Sequence, residues 1–235
     1  MSTLKLFGGN SPGPGTVEAP GRLIVIEGTD RVGRSTQVKL LKEWLEDRGY
    51  GVVDTGLTRS KLAGPGIKQA KMGHTMDPIT LNLFYATDFC DRVERVITPS
   101  LHAGMVVLAD RYVYSMIARA AVRGVRVEWM EGVYSFAPVP NRVVYLDADV
   151  ETLVPRVMMK GGFDFWESGQ DFLRTGDPYE SFIEYQSKLV TLFRDLARRY
   201  DFHIVDARGN ISGTFHSVLQ QVRPVVESMS AGVTA

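Results

Sequence analysis

Leu23-Ile24-Val25-Ile26-Glu27-Gly28-Thr29-Asp30-Arg31-Val32-Gly33-Arg34-Ser35-Thr36 runs from an apolar strand, through a glycine-framed turn, into a helix. That order is the architecture of a loop that cradles phosphates. Gly28 and Gly33 allow backbone N–H groups to point inward at phosphate oxygens, and the helix that follows adds its positive end. The motif G-x-x-x-x-G-K-[ST] places a lysine before the Ser/Thr; here Arg34 stands there. Arginine supplies the charge and can bond two phosphate oxygens at once, though it is bulkier and planar. The Ser35 hydroxyl suits Mg²⁺. The plain alternative is a glycine turn with Arg34 in solvent.

Outward from the loop, apolar strand-like runs alternate with helical patterns. The runs are Leu23–Glu27, Gly51–Thr55, Met105–Ala109, Arg142–Leu146 and Phe202–Val205. Helices are expected over Ser35–Arg48, Ile79–Leu101 (bent or ended near Pro99), Tyr114–Ala121, Glu128–Phe136, Val150–Lys160, Asp177–Arg199 and Ile211–Glu227. Residues 56 to 78 read as an exposed loop with one short helix at most. Alternation with near-continuous apolar strands implies an α/β fold: a parallel five-stranded sheet with helices on both faces. Ligands then gather at the carboxyl ends of the strands, where Gly28–Thr36, Thr55–Arg59, Asp110–Arg111 and Asp147 fall.

The 235 residues carry 27 basic and 27 acidic side chains, 44% hydrophobic and 23% charged, with no formal net charge. This balance gives no support to a nucleic-acid or membrane-surface role. No apolar run approaches the roughly 20 residues that span a bilayer. One cysteine, Cys90, excludes an intrachain disulfide and fits a reducing cytoplasm. The glycine- and proline-rich start reads as a flexible tail over residues 1–21, and residues 229–235 as a second short tail.

Several residues carry candidate chemistry. Arg111 suits an acceptor phosphate, and Asp110 suits Mg²⁺ with its waters; the alternative is a salt-bridged pair capping the next helix. Arg31 suits charge developing on a transferred phosphoryl group, and Asp30 a sugar hydroxyl; both also suit an ordinary turn. Arg59 is a further phosphate clamp or a solvated loop arginine. Phe84, among Tyr85 and Phe89, offers a face for a flat ligand or belongs to the core. Asp147 reads best as the cap of the next helix. Gly161–Gly176 is either a mobile lid or a surface loop.

In combination these residues resemble the thymidylate kinase family of nucleoside monophosphate kinases. The resemblance runs through Ile26–Gln37, Leu83-Phe84-Tyr85-Ala86, Ala109-Asp110-Arg111-Tyr112 with Ser115, Tyr145–Asp149, and Val205-Asp206-Ala207. It implies a doubly wound P-loop kinase domain over 22–228 with a lid at about 158–176, ATP and Mg²⁺, a nucleoside monophosphate acceptor, and a homodimer. By position it makes Gly28, Thr29, Val32, Gly33, Arg34, Ser35 and Thr36 the ATP phosphate cradle, with Arg208 near the adenine. Arg31, Arg34, Asp110 and Arg111 become catalytic, and Ser35 and Asp110 the metal's ligands. Asp30, Arg59, Phe84, Arg111, Tyr112 and Ser115 become the acceptor's contacts.

The chain departs from the family at Arg34 and at the segment Thr58-Arg59-Ser60. It departs again where a thymine-reading arginine falls on Asp88 or Phe89, and in Ser115–Ala121, which lacks the family's glutamine. The reading that follows is ATP- and Mg²⁺-dependent phosphorylation of a nucleoside monophosphate, most simply dTMP to dTDP. Two others stand beside it: a same-fold kinase with another small phosphate acceptor, and a nucleotide-binding protein without turnover.

Overall fold

A computed structural model describes residues 2–3, 6–7, 18–73, 76–173 and 175–230. In chain order the elements are β1 (Ser2–Thr3), β2 (Glu18–Ala19), β3 (Arg22–Gly28), α1 (Arg34–Glu46), β4 (Val52–Gly56), α2 (Gly64–Gly73) and α3 (Pro78–Arg92). A π-helical turn, Val93–Ile97, leads into α4 (Thr98–His102), β5 (Val106–Asp110), α5 (Val113–Val122) and α6 (Val127–Val133). Then come β6 (Arg142–Asp147), α7 (Val150–Met158), α8 (Pro178–Arg199), β7 (His203–Asp206) and α9 (Ile211–Ser230).

Five strands form one parallel sheet in the order β4-β5-β3-β6-β7, as the alternation of apolar runs and helices implied. Successive side chains of β3 serve opposite faces. Leu23 and Val25 join a core with Phe89, Tyr145 and Phe193. Ile24 and Ile26 join another with Leu41, Leu45 and Val222. Register brings Ile26 opposite Asp110, and Asp110 opposite Gly56. The phosphate loop, the Asp-Arg pair and the segment after β4 therefore share one sheet edge.

Glu27 continues the face of Leu23 and Val25 but is a fully buried carboxylate. It accepts the N–H groups of Tyr112 (2.8 Å) and Ser115 (3.2 Å) and the Ser115 hydroxyl (2.6 Å). It thereby satisfies the Tyr112 N–H at the start of α5 and shares the Ser115 N–H with the Tyr112 carbonyl (3.2 Å). Burial raises its carboxyl above the ordinary range, against the Ser115 hydrogen bond and the charge of Arg111.

The one short helix allowed within residues 56–78 is α2, with Ile67 and Ala70 buried on one face. Three expectations are corrected. The long helix expected over 79–101 loosens to π-helix at Val93–Ile97 and runs on into α4, with Pro99, which has no N–H to give, just after the π turn. The cap of α7 is Asp149, which accepts the Thr152 N–H at 2.9 Å; Asp147 pairs instead with Arg194 at 3.0 Å. The expected tail 1–21 is partly docked. Ser2–Thr3 pairs with Glu18–Ala19, the Phe7 N–H reaches the Ala137 carbonyl at 2.8 Å, and its ring packs on Tyr114 and Tyr200. The glycine-rich stretch 8–17 and residues 231–235 lie outside the described residues.

Glu27→Ala takes the acceptor from the Tyr112 N–H and the Ser115 hydroxyl and leaves a void under α5. It is expected to lower the unfolding free energy by about 3 kcal/mol in urea titration. A loss under about 0.5 kcal/mol would contradict the anchoring role of this carboxylate.

Candidate active site

The loop after β3 owes its path to glycine. Gly28 has φ +150°, and a Cβ there would stand 2.9 Å from the Leu146 carbonyl oxygen. Gly33, φ +110°, precedes the first turn of α1. Arg31 holds a left-handed φ of 66° without glycine's freedom, a strained conformation of the kind that collects at functional sites.

Arg34 folds back into the loop. Its Nε donates to Asp110 Oδ1 at 2.9 Å, and its Nη1 donates to the carbonyls of Gly28 (2.7 Å) and Thr29. Ser35 Oγ donates to the other Asp110 oxygen at 2.7 Å. Burial alone would raise the Asp110 carboxyl, but the Arg34 charge and the Ser35 hydrogen bond outweigh it and hold it low. A hydroxyl beside an ionised carboxylate is a hard-oxygen pair of the kind Mg²⁺ takes while keeping several waters. Among the described residues no group of three or more His, Cys, Asp or Glu assembles. The pair therefore fits a metal that arrives with phosphates, not an all-protein cage.

Arg111, also left-handed at φ 76°, is buried behind the loop. It donates to the Gly28 carbonyl (3.3 Å), Ser115 Oγ (3.1 Å) and Asp30. Burial, with Arg119 and Arg34 nearby, lowers the Arg111 guanidinium to about 10. Asp30 is almost saturated, since Arg119 Nη2 reaches both its oxygens at 2.8 Å and Gln186 Nε2 adds a contact at 3.4 Å.

These groups line one cleft of two compartments that share Lys71, Tyr85 and Arg119. One compartment, about 330 Å³, is bordered by Asp30, Arg34, Arg59, Asp110 and Arg111. The other, about 350 Å³, is walled by Tyr85, Asn82, Met116, Phe165 and Trp166. The segment carrying Phe165, Trp166, Glu167 and Asp171 borders both. Arg31 Nε donates to Glu167 at 2.9 Å, and Trp166 Nε1 donates to the Lys71 carbonyl at 3.2 Å. Burial and the nearby Asp30 raise the Glu167 carboxyl, against the charge of Arg31.

The structure therefore gathers Asp30, Arg31, Arg34, Ser35, Arg59, Asp110 and Arg111 at one opening. Arg59 stays half exposed and paired with Asp54 at 2.6 Å. Thr29 and Val32 are buried, so they offer a ligand only backbone; Thr36 is exposed at the start of α1. Three acceptor contacts need correction. Phe84 borders neither compartment and lies against Gly66; the helical phase turns the next residue, Tyr85, to the cleft. Tyr112 is fully buried, its hydroxyl donating to the Pro138 carbonyl at 2.7 Å. Ser115 is fully buried between Glu27 and Arg111. Arg208 pairs with Asp206 at 2.7 Å beside a separate cavity of about 160 Å³.

Sequence reading missed Arg119, Lys71, Glu167 and Arg156. Arg156 ties the loop to the turn after β7, donating to the carbonyls of Val32 (3.0 Å) and Ala207 (2.8 Å). A signal for Arg119 existed. Arg111, Ser115, Arg119 and Arg123 recur every four residues, a polar stripe along an otherwise apolar helix.

Burial alone would raise the Asp30 carboxyl, but Arg119, Arg111 and Arg34 together hold it well below its ordinary 3.8. A carboxyl depressed in the folded state stabilises the fold above its unfolded value and loses that contribution as pH falls through its folded value. Asp30→Asn is thus expected to cost about 3 kcal/mol at neutral pH by urea titration. The deficit should persist down to pH 3.8 and narrow only below it. Equal stability of the two proteins at pH 7 would overturn this account.

A family model described as thymidylate kinase matches residues 26–215. The probable thymidylate kinase 2 of Saccharolobus solfataricus is 40% identical over 179 residues, covering 76% of this chain and 84% of that protein. The probable thymidylate kinase of Pyrococcus horikoshii is 30% identical over 210 residues, with 86% and 96% covered. The thymidylate kinase of Desulfotalea psychrophila is 31% identical over 212 residues, with 88% and 97% covered. Because the match takes in the loop, the cleft behind it and the lid, the chain belongs to the thymidylate kinase family.

Proposed function

We propose that this protein transfers the γ-phosphoryl group of ATP to dTMP, giving dTDP and ADP. The observation that carries the reading is the meeting of Arg34, Arg111 and the Ser35–Asp110 pair at the phosphate loop, beside a compartment large enough for a nucleoside. Family membership and the names of the relatives support the same reaction.

In this reading the N–H groups of Gly28–Thr36 and the Arg34 guanidinium hold the donor's phosphates. Arg111, between the loop and the acceptor compartment, holds the acceptor phosphate in line. Arg31 stands where charge spreads onto the moving phosphoryl group. The acceptor phosphate is already ionised, so its oxygen forms the new P–O bond and ADP leaves without a dedicated base. Ser35 and Asp110 would hold Mg²⁺, which neutralises charge on the donor's phosphates.

We propose further that the protein works in the cytoplasm and as a homodimer. No helix among the described residues is long and apolar enough to cross a membrane. Ile79, Leu83 and Phe84 leave an apolar row on the outer face of α3, opposite the side chains that line the cleft. A second copy covering this row accounts for Phe84 being turned outward. Phe84→Asp is expected to yield monomers in light scattering; an unchanged mass would remove α3 from the interface.

Arg34→Ala is expected to lower kcat at least about a hundredfold with ATP and dTMP in a chain that still folds. Arg34→Lys should restore much of the rate. Near-normal turnover of the alanine variant would refute the assignment of Arg34, and ADP formation on none of a panel of monophosphates would refute the kinase reading.

A further inference from the structure

The positions expected to carry the ring-reading arginine, Asp88 and Phe89, supply none to the cleft, and the arginines that do border the compartment, Arg119 and Arg123, are held by Asp30 and Asp171. Asp88 is fully buried and accepts the N–H groups of Thr58 (3.1 Å) and Ser60 (3.0 Å) and Arg92 Nε (3.0 Å). Phe89 is packed edge-on against Tyr112, with ring centroids 4.9 Å apart. Neither borders either compartment. The edge of an acceptor's ring must therefore meet something else.

Asn82 answers that need. It lies three residues before Tyr85 on α3, so both occupy one face of the helix, and both wall the 350 Å³ compartment. A flat ring laid on Tyr85 and covered by Trp166 of the lid has its edge within reach of Asn82. The orientation of the Asn82 amide is chemically forced. One end meets the Pro78 carbonyl at 2.8 Å, and a carbonyl only accepts, so that end is the NH₂ group. The carbonyl oxygen, Oδ1, is left over. Among the described residues it meets no protein donor, and it is not one of the fully enclosed polar atoms, so it stays open to solvent in the compartment. A ring that displaces that solvent must bring an N–H to Oδ1 or leave it unpaired.

We propose that Asn82 is a specificity-determining residue whose Oδ1 selects acceptors that present a ring N–H. Thymine and uracil carry N3–H at the edge; cytosine presents a bare nitrogen lone pair there, which would face another acceptor. The site thus rejects cytosine by leaving Oδ1 unpaired, the kind of discrimination that hydrogen-bonding sites achieve best. This inference rests on the reading of the compartment as the nucleoside monophosphate site.

The test is calorimetric binding of dTMP, dCMP and N3-methyl-dTMP, without ATP, to the wild-type chain and to Asn82→Leu. Wild type is expected to bind dTMP about tenfold more tightly than either other ligand. In N82L the three affinities should converge within about twofold, the loss falling on dTMP. Equal binding of dTMP and N3-methyl-dTMP to wild type would overturn the proposal, as would a full preference retained in N82L. Should N82L fail to fold, the wild-type comparison of dTMP with its N3-methyl derivative still decides. No heat with dTMP at millimolar concentration would overturn the acceptor assignment as well; dTMP binding without an edge preference would overturn the role of Asn82 alone.

Discussion

Three guanidiniums and two carboxylates are packed at the carboxyl edge of the sheet, and the rest of the site is arranged around that imbalance. Arg34, Arg111 and Arg119 must be kept charged and partly desolvated before any ligand arrives. An unpaired buried charge costs several kcal/mol, so each is held by Asp30 or Asp110, and Arg34 and Arg111 also by the Gly28 carbonyl. The pairing is incomplete by design of number: three positive groups share two negative ones, and Lys68, Lys71 and Arg59 border the same space. The surplus is positive, and a phosphate entering the cleft replaces water around cations already in place. Preorganisation of this kind lowers the reorganisation needed at the moment of transfer.

The scaffold meets this demand with one buried carboxylate and one helix. Glu27, on the face of β3 that belongs to the core, receives the start of α5. That contact sets the rotation of α5 and so the direction of its polar stripe: Ser115 meets Glu27 and Arg111, Arg119 meets Asp30, and Arg123 meets Asp171 of the lid at 2.7 Å. The lid is therefore tied to the same helix that orients the acceptor-side arginines. Glu167 closes the circuit by pairing with Arg31 in the loop.

What could be read from the residues alone was whatever local geometry dictates. Gly28, Gly33, Ser35 and Asp110 are legible because a glycine turn after an apolar strand has few other uses, and because strand ends converge in a parallel sheet. Arg34 was legible as a cation, although its grip on Asp110 and two loop carbonyls depends on β5 lying beside β3. The phase of α3 was not legible. Phe84 and Tyr85 are adjacent aromatics, and only packing of Ala86 and Phe89 into the core decides which ring turns to the cleft. The burial of Tyr112 and Ser115 is also tertiary, set by Glu27 and by the loop at Pro138. Helix α2 was legible only as one short helix without bounds, because its three glycines disfavour helix and the burial of Ile67 and Ala70 that offsets them is tertiary.

The acceptor side illustrates how a site keeps a task while moving its parts. Asp88 is buried away from the cleft, where it gives the segment Thr58–Ser60 two backbone hydrogen bonds and a buried partner in Arg92. That fixes the loop from which Arg59 reaches the phosphate compartment. Arg119 adds a bidentate clamp on Asp30, leaving that carboxylate little capacity to accept a sugar hydroxyl. Recognition of the nucleoside must then come from groups with spare hydrogen-bonding capacity on the wall of the compartment, and from aromatic surfaces that ask only for a flat ring. The phosphate end of such a site is constrained by charge, which tolerates little rearrangement. The base end is constrained by a few neutral donors and acceptors, which can migrate along a helix face without disturbing the transfer chemistry.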